Sequence, residues 1–170
     1  MRKIKVLRRI AVVLLFLTGV AAPSHRAMAQ ATPPPNDVVG NWHYRSFLNE
    51  PKAVTDLNSI LFGEGDLVFN ESPVGTLVGT GDFGGGDTMK YQGVVTHGGV
   101  VSVRFQGIGT GAANKDWLYD YIGTVIPAWP NGVNQVQVIV GSVVRSAPHS
   151  NGSGGMVAAG RVGSFIAVRK

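Results

Sequence analysis

Glycine is the residue that most narrows what this chain can become. There are 24 glycines, and only Gly19 falls within the first 29 residues. A helix interior loses about 1 kcal/mol for each glycine relative to alanine, so this density leaves no room for a long amphipathic helix. Between the glycines lie short runs rich in Val, Ile, Phe, Tyr and Thr, bounded by Gly, Asn, Asp and Pro, the pattern of strands and turns. Eight runs stand out: Val39–Phe47, Asp66–Asn70, Gly75–Asp82, Thr88–Thr96, Val100–Ile108, Trp117–Ile126, Gln135–Arg145 and Met156–Arg169. Asn49 to Gly65 is the ambiguous stretch; Pro51 to Ile60 reads as a helical turn or as a loop laid over one end.

The connections point the same way. His97-Gly98-Gly99 and Gly84-Gly85-Gly86-Asp87 read as tight turns in which glycine takes a positive φ, and Pro130-Asn131-Gly132 as another turn. Pro148 to Gly155 is a longer loop. Sequential short strands joined in this way predict an all-β fold, an eight-stranded antiparallel up-and-down barrel, with a sandwich as the other arrangement. Closure removes the two edges an open meander would expose, and glycine inside strands favours the bends of a barrel. In Gln135–Arg145, Val136, Val138, Val140, Ser142 and Val144 form a mostly apolar face. The other face mixes Gln135, Gln137, Ile139, Gly141, Val143 and Arg145, and suits either a partly polar interior or an oligomer interface.

The N-terminus reads as an export signal. Met1 to Arg9 is basic, Ile10 to Ala22 is a 13-residue apolar run, and Ala27-Met28-Ala29 is a small-x-small cleavage pattern. That run is short of the roughly 20 residues a membrane span needs. Residues 1–29 are therefore expected to be a signal peptide cut after Ala29, residues 30–37, with Pro33-Pro34-Pro35, an extended tether, and residues 38–170 a single barrel domain. The expected location is periplasmic or secreted, with no stable membrane insertion after cleavage. Six of the 15 basic residues lie in the signal and none of the 10 acidic ones does, leaving nine basic against ten acidic residues. The basic residues left are scattered, so no nucleic-acid partner is expected. No cysteine is present, which excludes disulfides, thiolate metal sites and thiol nucleophiles.

Val39-Gly40-Asn41-Trp42 opens the first strand with Gly-x-Trp. The late segments Ser142-Val143-Val144-Arg145-Ser146 and Ala159-Gly160-Arg161-Val162-Gly163-Ser164-Phe165-Ile166 form a second match, and Gly75-Thr76-Leu77-Val78-Gly79-Thr80-Gly81 a looser third. Together these resemble the avidin/streptavidin family and its lipocalin-like calycin relatives. The resemblance implies an eight-stranded up-and-down barrel, a tryptophan plugging one end, a ligand site in the mouth, and a dimer or tetramer. It does not extend to the biotin-binding residues, because the last two strands carry no tryptophan and the matching late position is Phe165.

The most distinctive stretch is Lys115 to Gly123 followed by Ile126 to Gly132. On a strand, Trp117, Tyr119 and Tyr121 share one face, a stacking wall for a flat or apolar ligand or a row of packed core aromatics. Asp116, Leu118, Asp120 and Ile122 share the other, and a slip of one residue would exchange the two sets. The candidate ligand-binding residues are Asn41, Trp42, Tyr44, Trp117, Tyr119, Asp120, Tyr121 and Trp129, with Asn41, Tyr44 and Asp120 as the polar groups. His149, on its Gly-rich loop, is a candidate base or ligand, but no His-x-His spacing or nucleophile elbow accompanies it. No catalytic residue, metal site or cofactor is assigned. The leading expectation is an exported, non-catalytic barrel that binds a small apolar or aromatic molecule. The alternatives are a self-associating structural or interaction protein of the cell envelope, a possible homo-oligomer with no small ligand, and a small cofactor-independent enzyme using His149 or Asp120.

Overall fold

Strict alternation along the runs decides the architecture. In the first strand Trp42, Tyr44 and Ser46 are buried while Asn41, His43 and Arg45 face outward, and the same two-residue period repeats around the sheet. The computed structural model describes residues 38–52, 54–71, 76–128, 135–151 and 153–170. The segments read as signal peptide and tether, together with Trp129 and the Pro130-Asn131-Gly132 turn, lie outside the described residues.

The strands are β1 Gly40–Leu48, β2 Leu61–Glu71, β3 Thr76–Asp82, β4 Thr88–Thr96, β5 Ser102–Gly109, β6 Leu118–Ile126, β7 Val138–Arg145, β8 His149–Ser150, β9 Met156–Val157 and β10 Val162–Arg169. β1 to β7 pair in sequence order and β10 closes the ring between β7 and β1, every pair antiparallel. The expected eight-stranded up-and-down barrel is therefore the fold. β8 and β9 form a small separate hairpin.

Four local readings need correction. β2 begins at Leu61, directly after a short 3-10 turn at Leu57–Ile60, because Asp56 accepts the Asn58 amide at 2.9 Å and starts that turn. β7 starts at Val138, three residues later than the run suggested. The run Met156–Arg169 is two strands, since Gly160 takes φ of 82° and breaks it. Gly98 and Gly99 do not adopt positive φ, because five residues, His97 to Val101, connect β4 to β5 and no tight turn is required. The Gly84-Gly85-Gly86 turn does, with φ of 80°, 62° and 90°.

One end of the barrel is closed by Trp42, which is fully buried and donates from Nε1 to the Val38 carbonyl at 2.9 Å. The Arg169 guanidinium lies over its ring at 5.3 Å. Gly40 makes this possible: its φ is 136°, and a Cβ there would stand 3.1 Å from the guanidinium. Above the plug the interior is a column of rings. Phe105 stacks on Tyr121 with centroids 4.6 Å apart, Phe69 and Tyr91 meet Phe105 edge-on at 5.2 and 5.5 Å, and Tyr44 packs on Phe165 at 5.6 Å. Such pairs contribute about 0.5–1.5 kcal/mol each beyond area burial.

The two halves of the outer wall differ. Over β1 to β5 it carries His43, Arg45, Glu64, Asp66, Lys90, Gln92, Arg104 and Gln106 together with the exposed Val68, Val78, Val94 and Ile108. Over β6, β7 and β10 the outward side chains include Ile122, Ile126, Val138, Val140, Val144, Val162 and Ile166, some of them neighbours through registers such as Ile126↔Val138 and Val140↔Ile166, with Asp120, Thr124, Ser142 and Ser164 between them. The inward face of β7 is the mixed one, with Ile139 and Val143 buried and Arg145 at the rim.

Candidate functional site

The end opposite the Trp42 plug holds a cavity of about 210 Å³. Phe62, Phe83, Trp117 and Tyr119 form its walls with Met89 and Val143, and Tyr44, Ser46 and Tyr121 reach it from the barrel interior. Broader depressions of about 430 and 400 Å³ border outer-wall residues such as Asn70, Lys90 and Gln92, or Gln135 and Val136, where no comparable set of rings converges.

Each wall has a local cause. The register of β1 on β2 pairs Ser46 with Gly63 and Phe47 with Leu61, so Phe62 is an extra residue. This bulge re-aims its side chain, and the ring meets Tyr119 edge-on at 5.8 Å. Phe83 sits immediately before the triple-glycine turn and meets Tyr44 at 6.0 Å. The β5–β6 connection is locked by Asn114, which is fully buried. It accepts the Gly111 amide at 2.7 Å and donates to the Thr88 carbonyl at 2.9 Å. Its own carbonyl takes the Trp117 amide at 2.9 Å, which sets Trp117 at the rim.

A polar relay backs one wall. His149 is 5% exposed. Its Nδ1 lies 2.8 Å from the Ser150 carbonyl, which can only accept, so Nδ1 carries the proton. Nε2 lies 2.9 Å from the Tyr119 hydroxyl, a hydrogen-bond contact, and the Arg145 Nε–H donates to the Tyr119 oxygen at 3.4 Å. Trp117 covers His149 at 5.2 Å. The Asp116 carboxylate accepts the Ser150 amide at 2.7 Å, tying the β8–β9 hairpin to the β5–β6 connection.

Charge is scarce inside. The lining includes Glu64 and Asp87 but no lysine or arginine among the described residues. Glu64 is turned to the outer wall, where it pairs with Arg45 and His43, each at 3.2 Å. Burial pushes the phenols of Tyr44, Tyr91 and Tyr121 far above their ordinary range, only partly offset at Tyr44 by hydrogen bonding to Ser46 and Tyr121. Burial also raises Tyr119, against the pull of Arg145. All four are neutral groups at physiological pH. The buried Trp117 Nε1–H has no hydrogen-bond partner.

Of the residues singled out from the sequence, Tyr44, Trp117, Tyr119 and Tyr121 come together at this cavity. Three described ones do not. Asn41 neighbours the inward Trp42 and so faces outward; Trp42 is the plug of the far end; Asp120, between Tyr119 and Tyr121, lies on the outer wall, bonded to Gln106 and Ser146. Trp129 lies outside the described residues. Phe62, Phe83 and Ser46 were not singled out. The one sequence signal for Phe83 is its place before three glycines, and the bulge that brings in Phe62 leaves no mark in composition.

Fold and site thus define a closed antiparallel barrel, plugged at one end by tryptophan, with an aromatic-lined mouth at the other and Arg145 at its rim. No protein-family model, no curated protein and no solved structure matches the chain.

Proposed function

We propose that this is an exported binding protein that holds a small apolar or aromatic molecule in the barrel mouth without transforming it. The observation that carries the reading is the convergence of Phe62, Phe83, Trp117 and Tyr119 on a cavity of about 210 Å³. Ligand sites are concave, mostly apolar and edged by a few polar groups. The volume exceeds the roughly 150 Å³ that accommodates benzene. In this reading the chain is a calycin-like barrel, related in design to avidins and lipocalins, supported by the eight-stranded closed meander and the Gly40-Asn41-Trp42 plug. Residues 1–29 act as its signal peptide and direct it to the periplasm or the exterior.

Native mass spectrometry of protein purified from its own cell envelope tests this. A small-molecule adduct is expected on the native protein and absent after unfolding, and strongly reduced in a folded Trp117→Ala variant. Wild-type protein that is free of any adduct, and that takes up no aromatic compound on titration, overturns the reading.

The outer wall favours a second reading, self-association. Ile122 is 55% exposed and Ile126 43% exposed on a wall that also carries Val138, Val140, Val144, Val162 and Ile166, interspersed with Ser142 and Ser164, while the opposite wall mixes its exposed Val68, Val78, Val94 and Ile108 with more charged groups. Clustered exposed apolar side chains of this kind mark interaction surfaces. Sedimentation velocity is expected to show an oligomer that Ile122→Glu dissociates; a monomeric wild type at all accessible concentrations rejects it.

A further inference from the structure

The binding reading leaves open which molecule the mouth selects, and one carboxylate there narrows it. Resting on that reading, we propose that the ligand is an aromatic amine, a single ring on a short arm, with its ammonium paired to Asp87 and its ring against the aromatic walls.

Asp87 is aimed by the hairpin that carries it. The β3–β4 ladder pairs Asp82 with Thr88. It continues one step further, where the Phe83 amide donates to the Asp87 carbonyl at 2.9 Å. Alternation then sends both side chains inward: Phe83 lies two residues beyond the buried Gly81, and Asp87 two residues before the buried Met89. The triple-glycine turn thus sets a carboxylate beside a ring on the inner face, and both residues line the cavity.

The same carboxylate lacks a partner. Asp87 is half-buried, and its side chain enters no hydrogen bond or ion pair among the described residues. Every other carboxylate whose side chain is described has one, from the Gly84 amide on Asp82 at 2.9 Å to the Arg45 guanidinium on Glu64 at 3.2 Å. Glu64, the other acidic residue of the lining, is therefore satisfied on the outer wall, and the charge left to the mouth is that of Asp87. A charge drawn away from water without a partner is unfavourable, and an ammonium supplies what Asp87 lacks.

The basic group at the rim stands clear of this position. Arg145 is on β7, three strands from β4 and four from β3 around the ring, so it lies across the mouth from Asp87. Its Nε and Nη1 donate to Tyr119 and to the Ala158 carbonyl, and its guanidinium covers the Phe62 ring at 5.2 Å. The walls thus already hold one cation against a ring face. Phe83, beside Asp87, carries no such cation among the described residues. The cavity of about 210 Å³ exceeds the roughly 150 Å³ that accommodates benzene, which leaves space for one ring and a short arm.

Three probes of nearly equal size isolate the charge: phenethylamine, 2-phenylethanol and phenylacetate, titrated into the ¹⁵N-labelled wild-type protein and followed by NMR. Phenethylamine is expected to bind about tenfold more tightly than 2-phenylethanol, the contribution of one hydrogen bond between charged groups, and phenylacetate more weakly than either. Phenethylamine should also move the amide resonances of Phe83 and of the triple-glycine turn. In Asp87→Asn its affinity should fall to that of 2-phenylethanol, which should itself be little changed. The wild-type comparison decides the matter even if the variant does not fold. Equal affinities for phenethylamine and 2-phenylethanol, a preference for phenylacetate, or an ammonium preference that survives in Asp87→Asn overturns the inference while leaving the binding reading intact. Failure of all three probes to bind overturns both.

Discussion

Replacing Gly107 with alanine should damage the barrel through one ring. Tyr91 sits on β4 with glycine on both neighbouring strands: its cross-strand partners are Gly79 on β3 and Gly107 on β5. A Cβ on Gly107 would fall 2.7 Å from the Tyr91 Cε1 and 2.9 Å from the Met89 methyl. A Cβ on Gly81 would fall 2.8 Å from Cε2, the other edge of the same ring. Favourable carbon contacts lie near 3.5–4.0 Å, so each methyl demands a shift approaching about 1 Å. Neither glycine has a left-handed φ, so alanine brings no backbone strain and the effect is packing alone. Overpacking of this kind costs about 1–3 kcal/mol, or roughly 3–5 °C in Tm per kcal/mol for a domain of this size. In either single variant the ring can yield toward the edge left free. In Gly81→Ala/Gly107→Ala it is squeezed from both edges, so the double loss should exceed the sum of the singles by more than about 0.5 kcal/mol. Adding Tyr91→Val should recover part of it. Urea unfolding of the mature protein, with a constant m-value, measures all of these. A Gly107→Ala protein within about 0.5 kcal/mol of wild type, or strict additivity of the pair, would refute the account of why these strands carry glycine.

That account also explains how much of the fold was legible. Glycine density and β-branched runs specify strands directly, and sequential order with short connections specifies an up-and-down closure, so the barrel follows from local rules. Trp117, Tyr119 and Tyr121 fell on one face by period alone, but which face was inward could not be read from β6 itself. It is fixed by neighbours: Tyr121 stands opposite Phe105 and Val143, both inward. Asn41 and Asp120 were attractive as polar groups near aromatics, yet alternation sends each to the outer wall. Phe62 was illegible for a different reason. A bulge is a property of two strands in register, and nothing in Leu61-Phe62-Gly63 alone says that Ser46 and Phe47 will face it out of step. The His149–Tyr119 bond joins positions 30 apart in sequence, across a hairpin too short to show as strands.

The relay at the rim makes two further predictions. Tyr119→Phe leaves the buried His149 Nε2 without its hydroxyl partner and should destabilise by about 1–3 kcal/mol, read in urea unfolding. A change confined to a few tenths would mean that the relay holds nothing together. The second concerns pH and Asp116. The Ser150 amide holds the Asp116 carboxyl below its ordinary range. A group whose folded pKa is depressed contributes stability that is fully present above its unfolded pKa and lost as pH falls through the folded value. The tie between the β8–β9 hairpin and the β5–β6 connection should therefore be intact at neutral pH and released only below the usual carboxylate range. Global stability is a poor readout of this, because Asp66, depressed by Lys170 and His43, titrates in the same direction. The local reporter is the Ser150 amide resonance. It should stay downfield through neutral pH, move upfield in acid, and show no such transition in Asp116→Asn. A Ser150 resonance that ignores acid, or one that titrates identically in the asparagine variant, would show that this carboxylate does not anchor the hairpin, and the rim of the mouth would then need another support.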